Sequence, residues 1–427
     1  MTPNTSRNSS RAAVRRRTLI ATVLALAGWS AQPASASPGV QQLALVRGNQ
    51  IGLFSDHFAP LVRLSAGQHV ASPLLWSPNG RYLAFITYRS IEPMSGIGGA
   101  ALHLLDVNQP VDRVVVRGGP MAANFQAVWS SSSHYLVLAK NCSLVAVPAL
   151  GAQRVILRGT LGVNCLGRGQ ISDDGSTIAA AIQAGARQVL VKVDTASGHR
   201  TQVGTLPSIL SAGTGAISPS PHGDFVAFAT TLFDKNQNRI PLCCDHVWIA
   251  PLAPAGLSRK RSLGSAPLTQ GGPSSFIWSP PAAGLVHYDS SAPNDAWYPL
   301  GGGAVRHIPG FATLYAWSPD GQFLAYRAGR GAQNTAEGQV RIILVAQPGK
   351  PFFNIKSSPA MLDACFTASF SSTRELAYGL GGGTVPPSFN LGTDLSRGRL
   401  TFFSANDGRL KHSIGGLSCT VPPAWGP

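Results

Sequence analysis

The segment Trp317-Ser318-Pro319-Asp320-Gly321-Gln322-Phe323-Leu324-Ala325-Tyr326 constrains this chain more than any other. It joins an apolar anchor, a tight turn and a strand. Proline fixes φ, aspartate hydrogen-bonds its own backbone, and glycine takes positive φ at no steric cost. The residues that follow are aromatic and aliphatic, as a short buried strand requires. The arrangement recurs. Trp76-Ser77-Pro78-Asn79-Gly80 precedes Tyr82-Leu83-Ala84-Phe85, Trp129-Ser130 precedes Tyr135-Leu136-Val137-Leu138, and Ile217-Ser218-Pro219 precedes Phe225-Val226-Ala227-Phe228. Ile171-Ser172-Asp173-Asp174-Gly175, Trp278-Ser279-Pro280 and Phe370-Ser371-Ser372 continue the series, and Trp425-Gly426-Pro427 reads as one more start.

These anchors are spaced by 39 residues (278 to 317) up to 61 (217 to 278). A unit of that size cannot bury both its faces alone and must stack on neighbours, as in solenoids and propellers. Helical periodicity is nearly absent after residue 40. Only three glutamates occur, Glu92, Glu337 and Glu375, against 47 glycines and 32 prolines, which suits many turns. Each unit therefore reads as a four-stranded antiparallel blade of a single all-β propeller. Residues 41–64 hold three strand-like pieces, Leu43–Val46, Ile51–Phe54 and Leu61–Leu64, with no anchor before them. Cys419–Trp425 is an anchor strand with no successors. Joined, the two ends make one complete blade and leave no open edge. Seven internal anchors plus this composite give eight blades; seven is the alternative if one degenerate unit is an insertion.

The repeat resembles that of TolB-type propellers, whose hallmark is the W-S-P-D-G turn. The likeness spans nearly all of residues 37–427. It is close at Trp76 and Trp317, and it lacks the Asp-Gly pair at Trp129, Trp278 and Phe370. The resemblance implies a fold more than a function, because such propellers include partner-binding, ligand-binding and enzymatic members.

Residues 1–36 read as a secretory signal peptide: Arg7, Arg11 and Arg15-Arg16-Arg17, then the apolar run Thr18–Trp29, then the small-residue site Ala34-Ser35-Ala36. Arg16-Arg17 leaves ordinary and twin-arginine export both open. The expected location is periplasmic or extracellular. No other apolar run approaches membrane-spanning length. Loss of the five leader arginines leaves +11 of the formal +16. Such an excess favours acidic partners, while the plainer reading is solubility charge. Export argues against nucleic acid, and a closed ring is expected to be a monomer.

If the strands of a blade are A to D with the anchor ending A, the A–B turns are tight and the B–C connections lie at the opposite end. Several of the latter are long: 88–100, 231–245, 328–338 and 379–398. Long loops on one side of a rigid scaffold are where binding residues concentrate. Arg89, Lys140, Arg187, Lys235, Arg327, Arg330 and Arg397 all fall there, as a candidate anion-binding ring or as ordinary solvated loop charge. Cys142, Cys165, Cys243, Cys244, Cys365 and Cys419 map to the same end. An exported chain with six cysteines is expected to form disulfides, with Cys142–Cys165 and Cys365–Cys419 as neighbouring pairs and Cys243-Cys244 left over, among fifteen possible pairings.

Asp234, Asn236 and Asn238 stand at alternate positions, with Asp245 at position twelve. This is calcium-loop logic, in which alternate oxygens turn inward and a last carboxylate closes the shell. Arg239 replaces the glycine of an EF-hand, so a polar loop held by its own Asx turns is the other reading. D-x-N-x-N loops also occur in TolB-like blades. Enzyme signatures are lacking: there is no G-x-S-x-G, H-E-x-x-H or Walker loop. His246, beside Asp245, is the first suspect for catalysis and is more simply a structural histidine. The leading expectation is a non-enzymatic binder of a protein or an anionic envelope ligand. The alternative is a propeller enzyme of polysaccharide lyase or lactonase type acting at the central channel.

Overall fold

The computed structural model describes residues 43–54, 57–92, 96–117, 127–140, 143–152, 154–158, 171–184, 187–206, 217–231, 244–267, 275–288, 296–308, 311–329, 339–344, 351–356, 367–370, 375–380, 398–404, 409–417 and 424–426. The chain divides into two units, Met1–Gly39 and Val40–Pro427. The first, with the expected signal peptide, lies outside the described residues.

The second unit is all β. Sheet 1 joins both ends of the chain: Ala424–Trp425, Leu43–Arg47, Gln50–Phe54 and Phe58–Arg63 lie side by side in that order. Its closing pairs are Leu43 with Trp425 and Ala44 with Ala424, so the composite blade expected from the sequence is present. The outer strand begins at Phe58 and ends at Arg63, not at Leu61 and Leu64. A bulge between Ile51 and Gly52 lets Pro60 sit opposite Gly52 on the outer edge, where a proline costs no ladder bond.

Sheets 2 to 8 follow in chain order, each antiparallel. Sheet 2 is His69–Trp76, Tyr82–Tyr88, Ala101–Asp106 and Val111–Arg117. Sheet 3 is Ala127–Trp129, Tyr135–Lys140, Ser143–Pro148 and Arg154–Arg158. Among the described residues sheet 4 has three strands, Thr177–Ala184, Arg187–Asp194 and Arg200–Thr205, and a single bridge from Ile171 to Ile178 on its inner side. Sheet 5 is Ile217–Pro219, Phe225–Thr231, Cys244–Pro251 and Arg261–Pro267, and sheet 6 is Ser275–Trp278, Gly284–Tyr288, Ala296–Pro299 and Arg306–His307. Sheet 7 is Phe311–Trp317, Phe323–Gly329, Gln339–Leu344 and Pro351–Lys356. Sheet 8 is Thr367–Phe370, Glu375–Leu380, Gly398–Ser404 and Leu410–Leu417. A two-stranded ribbon, Ser90–Glu92 with Gly96–Gly98, extends the B–C connection of sheet 2. Among the described residues there is no α-helix, only one 3-10 turn at Gly256–Arg259, and no helix long and apolar enough to cross a membrane.

The core lies between sheets, because middle strands such as Tyr82–Tyr88, Ala101–Asp106 and Ser143–Pro148 are buried on both faces. Ala84, Ile86 and Leu102 of sheet 2 pack on Trp129, Leu138 and Val145 of sheet 3. Val137 and Leu144 meet Ile178 and Val191 of sheet 4, and Val286 and Trp297 of sheet 6 meet Leu324 and Tyr326 of sheet 7. Sheets 1 and 2 share Ala44, Ile51, Leu83 and Phe85. The inner strand of sheet 8 touches those of sheets 7 and 1, which closes the series.

One serine organises each A–B turn of sheets 2 to 7. Ser77, Ser172 and Ser318 are fully buried. Each hydroxyl accepts the N–H five residues on: Tyr82 at 2.8 Å, Thr177 at 3.0 Å and Phe323 at 2.9 Å. Each also donates to the Asx side chain two residues on, Asn79, Asp174 or Asp320. The Trp129 and Trp278 units, without Asp-Gly, keep this geometry, and the turn after Phe370 lies outside the described residues. Ser130 and Ser279 accept from Tyr135 and Gly284, while Ser133 and Ala282 take the glycine position at φ 60° and 52°.

In sheet 5 the organising residue is Ser220, not Ser218. Its hydroxyl accepts from Phe225 at 3.0 Å, and Gly223 holds φ 70°. The unit is thus Pro219-Ser220-Pro221-His222-Gly223, and its anchor position is 219, not 217. The tryptophans agree. The indole N–H of Trp129 donates to the Leu75 carbonyl and that of Trp76 to Ala424, both at 3.0 Å. In each case the acceptor directly precedes the anchor of the preceding sheet. Trp278 donates to Ser218 at 3.3 Å, the residue before 219. The Trp317 nitrogen is buried without a partner.

Candidate ligand-binding face

Antiparallel order puts the A–B and C–D connections at one end of every sheet, the turn end, and the B–C and D–A connections at the other, the loop end. At the turn end the serine-centred turns bond to one another: Asn79 N–H to Ser133 Oγ, Ser131 N–H to the Asp174 carbonyl, and Asp174 N–H to the Pro221 carbonyl. Four arginines there are engaged. Arg81 makes two bonds to one Asp106 oxygen, at 2.9 and 3.0 Å. Burial pushes the Asp106 carboxyl upward, but the Arg81 bonds and charge and backbone bonds from Asn108 and Gln109 outweigh it, and it titrates below the usual carboxylate range. Near the start of outer strands, Arg113, Arg154 and Arg261 each reach the next sheet and donate to backbone carbonyls, of Ala149, of Thr195 and Ala196, and of Leu300.

The loop end differs. Arg89 is exposed at the root of the ribbon, its stem facing Gly99. Arg187 is exposed at the first position of its strand. Lys140 closes the B strand of sheet 3 opposite Ser143, and Arg327 lies opposite Thr313 and Val340 in sheet 7. Arg89, Lys140 and Arg187 thus stand on three consecutive sheets, with Arg327 three sheets further on. Lys235, Arg330 and Arg397 lie outside the described residues. Reading the sequence by its long loops missed four further cations at this end. Arg47 ends the B strand of sheet 1, and Arg63, Arg117 and Arg158 end the outer strands of sheets 1, 2 and 3; all four are exposed. Register sets them in rows: Arg47–Gln50–Arg63 across sheet 1 and Lys140–Ser143–Arg158 across sheet 3. The available signal was an apolar run ending in arginine before a loop, as in Val114-Val115-Val116-Arg117 and Val155-Ile156-Leu157-Arg158.

Asp234, Asn236 and Asn238 of the expected calcium loop lie outside the described residues, and Asp245 falls in the C strand of sheet 5, paired with Thr231 and Ala266. Among the described residues no group of three His, Cys, Asp or Glu side chains is placed to hold a metal. Of the cysteines only Cys244 is described, opening that C strand opposite Pro267; Cys142, Cys165, Cys243, Cys365 and Cys419 lie outside.

Two histidines bear on catalysis. His246 Nε2 lies 2.6 Å from Ser262 Oγ, and its ring rests 4.4 Å from that of Trp248. His103 Nδ1 donates to Asp112 at 2.9 Å, and Nε2 lies 3.0 Å from the Thr87 hydroxyl. The connectivity is that of a hydroxyl–imidazole–carboxylate relay. However, Thr87 is only 1% exposed, so no substrate reaches its hydroxyl. The set instead ties strands B, C and D of sheet 2 together, with the imidazole stacked on Phe85 at 4.8 Å.

No protein-family model matches the sequence, and no curated protein matches it. Solved structures do. Dihydro-heme d1 dehydrogenase NirN in complex with DHE is similar over 91% of this chain and 75% of its own, at 13% identity and a TM-score of 0.54. A eukaryotic initiation factor is similar over 90% and 98%, at 12% identity and 0.50. TolB from Acinetobacter baumannii is similar over 84% and 83%, at 15% identity, but its TM-score of 0.34 adds nothing to the argument. At these identities the likeness concerns fold alone. With the closed series of antiparallel sheets, it defines the class: a β-propeller.

Proposed function

We propose that this is an exported, TolB-like, non-enzymatic propeller that binds a protein or an anionic component of the cell envelope through the loop end of its sheets. The observation that carries this reading is the difference between the two ends. At the turn end Arg113, Arg154 and Arg261 hold the next sheet, whereas Arg89 and Arg187 at the loop end are exposed with no ion pair to a described acidic side chain. Charge held on a rigid rim without structural use attracts an oppositely charged partner. The leader-like residues 1–36 support a partner outside the cytoplasm.

The test is capture from an envelope extract by residues 37–427 and by the R89E/R187E variant. A component retained by the wild type and lost from the variant is the expected result. Equal retention by both, or none by either, would overturn the reading. Calcium at Asp234, Asn236, Asn238 and Asp245 is part of the same proposal, with an affinity of about 10⁻⁴ to 10⁻³ M from its two formal charges. Thermal melting should then rise by a few degrees in millimolar calcium, and Asp234→Ala should abolish the rise. A rise that survives the substitution would retire the site.

A further inference from the structure

Building on the loop-end reading above, we infer that the ligand is an extended, flexible polyanion lying along sheets 1 to 4, and neither a compact anion nor a folded protein.

The first ground is where the charges fall. At the loop end of sheets 1 to 4 an inner row consists of Arg47, Arg89, Lys140 and Arg187, at the B–C junctions. An outer row consists of Arg63, Arg117 and Arg158, at the ends of D strands. Against these seven cations, Glu92 is the single described acid at that end. The stretches of sequence that join strands there add Arg168 and no acid. Beyond sheet 4 the balance changes. The loop-end stretches of sheets 5 to 8 carry six acids, Asp234, Asp289, Asp295, Glu337, Asp363 and Asp394, which outnumber the cations of those stretches, Lys235, Arg239, Arg330 and Arg397. The positive field therefore belongs to an arc and not to a whole ring.

The second ground is spacing. B and D strands are two strand separations apart, roughly 10 Å, and the rows step from one sheet to the next. A compact anion needs donors that converge within about 3 Å of its oxygens, and cations set one or two to a sheet, on strands roughly 10 Å apart, are spread too widely to meet on one small ion. A chain whose charge repeats can meet them in succession.

The third ground is polarity. The exposed large hydrophobics are Val111, Leu150, Val155, Phe225 and Val305. Each lies in a C–D connection, early in an outer strand, or at the start of a B strand, which is the turn side. Among the described residues none lies at the loop end. A protein interface carries an apolar core inside its polar rim, whereas the described loop-end residues offer charge.

The experiment measures binding of residues 37–427 to long-chain polyphosphate and to polyglutamate, with inorganic phosphate and free glutamate as compact controls. The variant R63E/R117E/R158E removes the outer row. R200E/R259E/K260E makes the same change of charge at exposed turn-end positions. Both polymers should bind and neither monomer should compete at matched charge. The outer-row variant should weaken binding about tenfold or more, and the turn-end variant by less than about threefold. Should the outer-row variant not fold, R63Q/R117Q/R158Q tests the same row with a smaller expected loss in the same direction. Equal weakening by both variants would mean attraction to net charge and would overturn the arc. Competition by phosphate at matched charge would replace the polymer with a compact ion, and preference for a DNA duplex would refute the flexible chain. Failure of both polymers to bind would also overturn this inference. In that case, loop-end capture of an envelope protein would leave the proposed function standing.

Discussion

The two ends of the sheets use one residue type for different work. At the turn end Arg113, Arg154 and Arg261 lie near the start of outer strands, within reach of the next sheet's C–D connection, and each bonds a backbone carbonyl there. At the loop end Arg63, Arg117 and Arg158 finish the same class of strand and remain exposed, without an ion pair among the described residues. Position along a strand of five to seven residues decides the matter. An arginine is a fastener where a neighbour's carbonyl is in reach, and elsewhere a charge for something outside the molecule. The inner ring repeats the first solution with a neutral donor, as the indoles of Trp76, Trp129 and Trp278 bond to the preceding sheet.

The comparison presumes a closed series of sheets, and the most severe way to break it is to open the series. Deletion of residues 424–427 removes the strand paired with Leu43–Arg47 and the carbonyl that accepts the Trp76 indole. The exposed strand edge should promote aggregation, and thermal melting should fall by about 10 °C or more. Unchanged melting of a soluble truncation would show that the ends do not need each other. Next in size is the turn serine. Ser172→Ala strands the Thr177 N–H and removes one of the donors to Asp174, which should cost roughly 1–3 kcal/mol in denaturant titration. The loop-end counterpart Ser143→Ala touches only a half-buried strand position and should stay within about 0.5 kcal/mol.

A smaller effect separates the two arginines of a single strand. Arg154→Ala loses two bonds to the Thr195 and Ala196 carbonyls and should cost about 1 kcal/mol. Arg158→Ala, four residues on, should change stability by less than about 0.5 kcal/mol. If the two losses were equal, the division of labour between the ends would be wrong.

Much of the turn end was legible in the sequence because its chemistry is local: serine, proline, an Asx and glycine at fixed offsets. The reading went astray in sheet 5, where Ser218-Pro219 and Ser220-Pro221 both fit the start of the pattern. Only Gly223 distinguishes them, because positive φ must fall three residues after the organising serine. Ser133 and Ala282 adopt that φ without glycine, so their turns survive where the sequence pattern fades. The outer-strand arginines were harder to see. Their partners, or their lack of one, belong to the neighbouring sheet, and no spacing along the chain encodes which carbonyl lies within reach. The loop-end candidates Arg89, Lys140 and Arg187 were found because loops are easily spotted, and Arg63, Arg117 and Arg158 were missed because a strand end carries no such mark.

The smallest expected effect concerns acid. Asp194 ends the C strand of sheet 4 at the turn end and accepts the hydroxyl and the N–H of Ser197 at 2.6 and 2.7 Å. The Ser197 hydroxyl, then its N–H, hold the carboxyl below its usual range; burial opposes them, and the Ala196 amide and the Lys192 charge assist. A carboxylate whose folded pKa is depressed stabilises the fold fully above its unfolded value of about 3.9, and that stability is lost as pH falls through the folded value. The residue is exposed, so solvent screening limits the effect to a few tenths of a kcal/mol. Wild type should therefore exceed Asp194→Asn in melting temperature at pH 7, and the gap should narrow at pH 3. Arg158→Ala at the loop end has no described acidic partner to titrate, so its small effect should be the same at both pH values. A gap between wild type and Asp194→Asn that stays constant from pH 7 to pH 3 would mean that the Ser197 bonds do not favour the ionised carboxylate.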